Sequence, residues 1–413
     1  MKKVISKSVI FLLSVLMLFS GISPLSTALA GGKTIKSGDF VYGKISSYFF
    51  SGEKRKIYAV LKYTGSDKTV TVPALIDGKR IEAIGEKAFM GNETIEEVKI
   101  SEGIKYVLGD GDEYEIGAFM NCRNLKKVSF PESLEGICDY AFRNCSLSGT
   151  VKIGKNLRYG LETYFYTDGV PALWTAFGVG DKMNIKAFEI SDKNKTYSSV
   201  DGVVFSKDKK TLIAYPKGKT DKNYYVPYGT TEISNAAFYA NKYLKKLNIS
   251  KSVTDIYGYV FIHCKNLSKI KINNPDCRFS KKTFSGFSND CVLVSTANST
   301  TERFVKKSGS DNLKFAVLQD SVKNVNGDTQ VADIVLTKVG KNCARISWAA
   351  VDKADKYRVY QSTDGKSWKK VRVVKGPTAK VSNLKSKCNY YFKVIANVNG
   401  KEVKSRAIKI KTK

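Results

Sequence analysis

The sequence predicts a mostly β protein with short helical turns, built as a repeat solenoid followed by a small β-sandwich. Three observations predict it. An Ala-Phe or similar pair recurs at Ala88-Phe89, Ala118-Phe119, Ala141-Phe142, Ala237-Phe238 and Val260-Phe261, with Thr283-Phe284 as a degenerate sixth. Each of the first five pairs is followed by a short strand-like segment with regularly spaced apolar residues, such as Leu244/Leu247/Ile249 and Leu267/Ile270/Ile272. From Gln330 onward that pattern stops, and short alternating apolar and polar runs are separated by turns, as in a small sandwich.

The chain has 413 residues, enough for two or three domains with their own cores. A hydrophobic content of 42% excludes a disordered chain. Lys2, Lys3 and Lys7 precede an apolar run from Val9 to Phe19, and Ala28-Leu29-Ala30 fits a small-x-small cleavage site. Residues 1–30 therefore read as a signal peptide cut after Ala30. A retained anchor is the competing reading, and the shortness of the run argues against it. No later stretch approaches ~20 apolar residues, so no transmembrane segment is expected after cleavage. The expected location is secreted or at the cell surface.

The solenoid is expected over residues 31–318. Successive pairs are 30, 23, 96, 23 and 23 residues apart, and Ile84, Ile116, Ile137, Ile233 and Ile256 each stand just ahead of one. A unit of that size cannot bury its own apolar side, whereas stacked units bury one continuous core. Alanine permits close approach of a short helical turn, and phenylalanine fills the interior. Thr300 to Lys307 reads as a terminal cap helix and Leu313 to Leu318 as a last strand, since a solenoid must cover its open end. No repeat is visible from Tyr159 to Asn184, and Gly109 to Tyr114 is an insert.

The unit I-x-x-I-G-x-x-A-F-x-x-C-x-x-L-x-x-V-x-F-P, followed closely from Ile116 to Pro131, resembles the BspA-type leucine-rich repeat of bacterial surface proteins. Tyr197 to Phe205 with Leu212 to Pro216 is similar to that family's hairpin variant, and Tyr63 to Gly78 to its N-terminal repeat. The resemblance covers about residues 40–318. It implies a leucine-rich-repeat solenoid on a surface protein that adheres to matrix proteins or cells, in a bacterium expected to be Gram-positive.

Gln319 to Thr329 is polar and reads as the linker. Residues 330–413 form the second domain. Ala344 to Trp348 and Tyr357 to Tyr360 are strands, Asp364-Gly365 is a turn, and Tyr390, Phe392 and Val394 share one face of a late strand. Leu384 precedes Tyr390 by six residues, the spacing of a tyrosine corner. The segment resembles a fibronectin type III domain, an immunoglobulin-like sandwich whose core tryptophan would be Trp348. It carries no Arg-Gly-Asp tripeptide.

Charge narrows the partners. Basic residues number 69 against 38 acidic, and 11 of the 69 are arginine. Arginine is the preferred reader of base edges, so sequence-specific nucleic-acid binding is excluded. Lysine gives a diffuse, salt-sensitive attraction to polyanions. Beyond residue 30 the net charge is +28, of which residues 330–413 hold +16.

Chemistry-bearing residues are few. Cys122, Cys145 and Cys264 each follow a repeat phenylalanine by three, a slot that Asn92 and Asn241 also fill, which points to a ladder satisfying turn backbone groups. Cys277 with Cys291, and Cys343 with Cys388, could bridge; spacing alone cannot decide. His263 is the single histidine, so no metal pair and no Ser-His triad is expected, and no cofactor. The Gly109-Asp110-Gly111-Asp112-Glu113 stretch could bind calcium, but it lacks the spaced ligands of a full loop, and a solvated hairpin fits it better.

The expected function is a non-enzymatic binding protein. The candidate site is a basic ladder on the outward side of the repeat strands, formed by Lys126, Lys127, Lys152, Lys245, Lys246, Lys269 and Lys271, with Tyr239, Tyr243 and Tyr257 nearby. Its partner would be an extracellular protein or glycan. The alternative is an envelope-associated display protein held on an anionic cell-wall polymer by the basic sandwich. A glycan-active enzyme ranks third, since no carboxylate pair stands out.

Overall fold

In a computed structural model, residues 28–29, 33–48, 54–110, 116–161, 176–177, 182–317, 335–348, 354–375, 378–398, 401–405 and 407–412 are described. The expected leader, apart from Ala28–Leu29, and the expected linker lie outside them. The chain forms two compact units. One runs to Lys207 and includes Pro216–Gly218; the other comprises Asp208–Tyr215 and everything from Lys219 onward.

Early in the first unit β1 (Phe40–Tyr48) and β2 (Lys54–Tyr63) form an antiparallel pair, with the short strands Ala28–Leu29 and Ile35–Ser37 also antiparallel to β1. Rungs then follow with β3 (Thr69–Val72), β4 (Lys79–Ile84), β5 (Glu97–Ile100), β6 (Tyr106–Val107), β7 (Lys127–Ser129) and β8 (Gly136–Ile137). They end in β9 (Ser148–Ile153), β10 (Asn184–Ile190) and the hairpin β11 (Tyr197–Val200) and β12 (Val203–Ser206). Two parallel ladders result, β2–β4–β6–β8 and β3–β5–β7, because each repeat places the same two strand segments one layer further on. The hairpin turns at Asp201 and Gly202, with φ of 51° and 81°. Positive φ at both positions is what a two-residue turn requires, and a Cβ on Gly202 would stand 2.6 Å from that of Ala187.

The recurring pair is the spine of the core. Tyr63, Phe89, Phe119, Phe142 and Phe177 stack with centroids 5.2, 4.7, 5.1 and 5.6 Å apart. Each ring's own N–H donates to the carbonyl of the alanine in the next rung: Tyr63 to Ala88, Phe89 to Ala118, Phe119 to Ala141 and Phe142 to Ala176. Alanine's small side chain lets the backbones approach that closely. Here the structure corrects the expectation that Tyr159 to Asn184 lacks a repeat. Tyr159 pairs in parallel with Gly136, and Ala176-Phe177 supplies the rung after Ala141-Phe142. The insert at 109 begins a hairpin, with Gly109 and Asp110 opposite Gly117 and Ile116. Its residues 111–115 are outside the described set.

In the second unit the repeats resume with β13 (Thr211–Ala214), β14 (Asn223–Tyr225), β15 (Glu232–Ile233), β16 (Lys246–Ile249), β17 (Asp255–Ile256) and β18 (Lys269–Ile272). They close with β19 (Arg278–Phe279), β20 (Cys291–Ser295), helix α1 (Thr300–Ser308) and β21 (Leu313–Val317). The ladders are β13–β15–β17–β19 and β14–β16–β18–β20–β21, parallel throughout. Tyr215, Phe238, Phe261, Phe284 and Phe304 form the ring column here. Phe304 belongs to α1, so the expected cap helix ends the column by supplying its last ring. Ser299 caps the helix by accepting from Glu302 N–H, and Gly309 closes it in the left-handed conformation.

The sandwich follows as β22 (Val335–Val339), β23 (Ala344–Ser347), β24 (Ala354–Ser362), β25 (Lys369–Val374), β26 (Thr378–Val381), β27 (Asn389–Val398), β28 (Lys401–Lys404) and β29 (Ile408–Lys411). One sheet is β22–β23–β26. The other is β25–β24–β27, with β28 and β29 both on the far edge of β27. This is the immunoglobulin-like arrangement of a fibronectin type III domain. Trp348, Tyr357, Val359, Phe392 and Val394 are buried between the sheets. Tyr390 accepts a 2.8 Å hydrogen bond from Lys385 N–H at its hydroxyl, which is the expected tyrosine corner.

Candidate functional site

Period two decides which side chains leave the core. On β16 and β18, Leu247, Ile249, Ile270 and Ile272 are buried, so Lys246, Asn248, Lys269 and Lys271 face outward. The parallel register puts Lys246 directly opposite Lys269, with Asn223 and Val292 on either side. Asn248 is opposite Lys271, between Tyr225 and Val294. Lys245 stands just ahead of β16, exposed, and donates its backbone N–H to Lys222. Strands are about 4.8 Å apart, so the backbones that carry Lys246 and Lys269 are near neighbours. Among the described residues none of Lys245, Lys246, Lys269 and Lys271 has a carboxylate within ion-pair distance. Like charges directly opposite one another on a sheet are destabilising, and among the described residues no carboxylate pairs with these four.

The first unit treats the same position differently. Lys127 is opposite Glu97 in the register and pairs with it at 2.8 Å. Lys126 reaches Glu96 at 2.8 Å, and Lys68 reaches the same carboxylate at 3.2 Å. Hydrogen bonds from Lys126 and Lys68 hold the Glu96 carboxyl below its ordinary range, and Lys127 does the same to Glu97. Lys152 lies 4.0 Å from Glu189. Three of the seven expected site lysines are thus engaged by acids, and the four in the second unit are not. Spacing alone does not reveal these pairs, because Glu97 and Lys127 are 30 residues apart and meet only through register.

The tyrosines separate as well. Tyr243 stands beside the lysine rows, with the ammonium groups of Lys222 and Lys242 5.5 and 5.9 Å from its ring. Tyr239 packs edge-on against His263. Tyr257 follows β17 on the other ladder, where Asp255 takes two hydrogen bonds from Arg278 at 2.6 and 2.7 Å, which hold its carboxyl low. Lys222, Asn248 and Lys314 share the rows or their edges with the four lysines and were not expected from sequence. Lys314, opposite Val292, ends the row of Lys246 and Lys269.

The cysteines do structural work. The Cys122, Cys145 and Cys264 thiols donate to the carbonyls of Phe89, Phe119 and Phe238 at 3.0, 3.1 and 2.9 Å. Asn241 instead accepts from the N–H groups of Tyr243 and Leu244 and donates to Lys219 O. All eight cysteines are free thiols, including Cys277, Cys291, Cys343 and Cys388. Burial pushes Cys264, Cys277 and Cys291 up to about 12, far from nucleophilic character. Among the described residues no three His, Cys, Asp or Glu side chains gather as a metal site would need, and no helix is long and apolar enough to cross a membrane.

Known proteins can now be set beside this geometry. The family model described as BspA type leucine rich repeat region matches residues 66–168 and 217–329, in six copies. The pneumococcal vaccine antigen PcpA is similar in structure, 18% identical over 70% of this chain and 99% of that chain, with a TM-score of 0.37. A leucine rich cell surface protein from Faecalibacterium prausnitzii is 16% identical over 70% of this chain and 96% of that one, with a TM-score of 0.35. A fibronectin type III domain from human fibronectin type III domain containing protein 3 is 24% identical over 23% of this chain and 92% of its own, with a TM-score of 0.19. No curated protein sequence matches the chain.

Proposed function

The chain belongs to the BspA-type leucine-rich repeat family, and from that premise we propose that it is an exported, surface-associated binding protein of a Gram-positive bacterium, non-enzymatic, which takes an acidic protein or glycan on the β16–β18 face. One observation carries the reading. Lys246, Lys269 and Lys271 lie on one sheet face with Lys245 just ahead of it, and among the described residues none has a carboxylate partner. A fold that stacks lysines in this way tolerates a local cost, and an anionic partner would remove it. Lys126, Lys127 and Lys152, already paired, would contribute less. Leader-like residues 1–30 support export, and the buried thiols of Cys264, Cys277 and Cys291 are poor nucleophiles.

The test is charge reversal of all four lysines, read as binding to immobilised mucin and to host matrix proteins. Affinity should fall by about tenfold or more, with the far-ultraviolet circular dichroism unchanged. Unchanged affinity would remove the face from consideration.

A second reading is retention on an anionic wall polymer through the sandwich, favoured by its +16 net charge. If it holds, protein bound to isolated walls leaves at ~0.5 M salt, where screening cuts off exposed charges within a few ångströms.

A further inference from the structure

The outward face of the β25–β24–β27–β29 sheet carries a second arrangement of lysines, different in kind. On β27, Phe392 and Val394 point into the core, so Tyr391 and Lys393 point out. Lys393 is opposite Tyr360 of β24, which is in turn opposite Lys370 of β25. Tyr391 is opposite Lys409 of β29. The Lys393 ammonium lies 4.3 Å from the Trp368 ring centroid and 5.7 Å from that of Tyr360. Lys409 lies 5.6 Å from the Tyr391 ring.

Among the described residues the acids of this domain are committed elsewhere. Glu402 pairs with Arg358 at 2.6 Å and Lys404 at 3.7 Å. Asp364 is tied into its turn by Ser362 and the N–H groups of Lys366 and Ser367. Among the described residues Lys370, Lys393 and Lys409 have no carboxylate partner.

We propose that this face is a built site for a base-free phosphodiester polymer, in which aromatic rings hold lysine ammonium groups ready for the phosphates. The proposal rests on the wall-retention reading and gives it residues and a ligand class. A free lysine loses rotamer entropy when it binds an anion; one held over a ring has lost it already. Of the basic residues in 330–413, 17 are lysine and 4 arginine. Lysine meets phosphate as a point charge, whereas the planar arginine fork suits bidentate contacts and base edges. The ring faces covered by Lys393 and Lys409 are not open for base stacking, on which single-stranded nucleic-acid sites depend.

The experiment measures the affinity of residues 31–413 for poly(glycerol phosphate) at low salt. Trp368→Leu with Tyr360→Leu leaves the net charge untouched. It should weaken binding about three- to tenfold if the rings pre-position Lys393. Lys393→Gln should weaken it more than Lys380→Gln, which removes the same charge from the opposite sheet. If the ring variant binds like wild type, or the two lysine variants lose equally, the built site is refuted and a diffuse charge tether remains. The lysine pair still decides the matter if the ring variant fails to fold. If wild type does not bind the polymer at all, the built site and the retention reading fall together. Tighter binding to oligo(dT) of equal charge would overturn the choice of a base-free ligand.

Discussion

The β5–β7 face and the β16–β18 face are the same architectural surface in two units, with opposite electrostatic solutions. Both turn a valine, leucine or isoleucine inward, all buried except the half-buried Val128 of β7. In the first, register sets Glu97 against Lys127, and the charges cancel within the sheet. In the second, register sets Lys246 against Lys269, and they do not. The repeat fixes the inward residue types through core packing and leaves the outward ones open. Outward composition is where two rungs of one solenoid can differ in function without differing in fold.

The shared half of the comparison should give the largest effects. Phe119→Ala and Phe261→Ala each leave a hole in a stacked column, and each should cost about 3–5 kcal/mol in chemical denaturation. A cost confined to one unit would mean the two columns are not equivalent. Asn241→Ala strands the N–H groups of Tyr243 and Leu244 beneath the lysine rows and should cost about 1–3 kcal/mol by the same method.

The unlike half should give smaller effects of opposite sign. Lys269→Glu places an acid opposite Lys246 and should stabilise by less than about 1 kcal/mol while lowering affinity for an acidic partner. Lys127→Glu places an acid opposite Glu97 and should lower the melting temperature. A common sign for the two would show that register pairing does not govern these faces.

The smallest effect is a pH dependence. Glu96 and Glu97 have carboxyls held low by lysines in the folded state. Their stabilisation is present above the unfolded glutamate pKa of about 4.3 and is lost as pH falls through the depressed folded values. Protection of β5 and β7 amides, measured relative to intrinsic exchange at each pH, should therefore fall below about pH 4, ahead of that of β16 and β18. An equal loss of protection in both would argue that the glutamates contribute nothing.

Much of the fold was legible because the core imposes identity. The Ala-Phe pairs, the cysteine-or-asparagine slot, the cap helix and the tyrosine corner all reflect contacts that few side chains can make. Ala176-Phe177 escaped notice because it follows Ala141-Phe142 by 35 residues, outside the 23- and 30-residue spacings. The columns also begin with Tyr63 and Tyr215 and end in one unit with Phe304, rings that fill the slot without the pair's signature. The site was legible only in part. Outward lysines follow from period two, but whether each has a partner depends on which residue register brings beside it from 23 or 30 positions away. The cation–π contacts of Lys393 likewise join residues from two strands and a turn.

If unpaired lysines, and not lysines as such, make a binding face, two charge-reversal variants will differ on one immobilised mucin surface: Lys245, Lys246, Lys269 and Lys271 together, against Lys126, Lys127 and Lys152 together. The first should lose about tenfold or more in affinity and the second less than about threefold. Equal losses, or a larger loss in the second, would contradict the account.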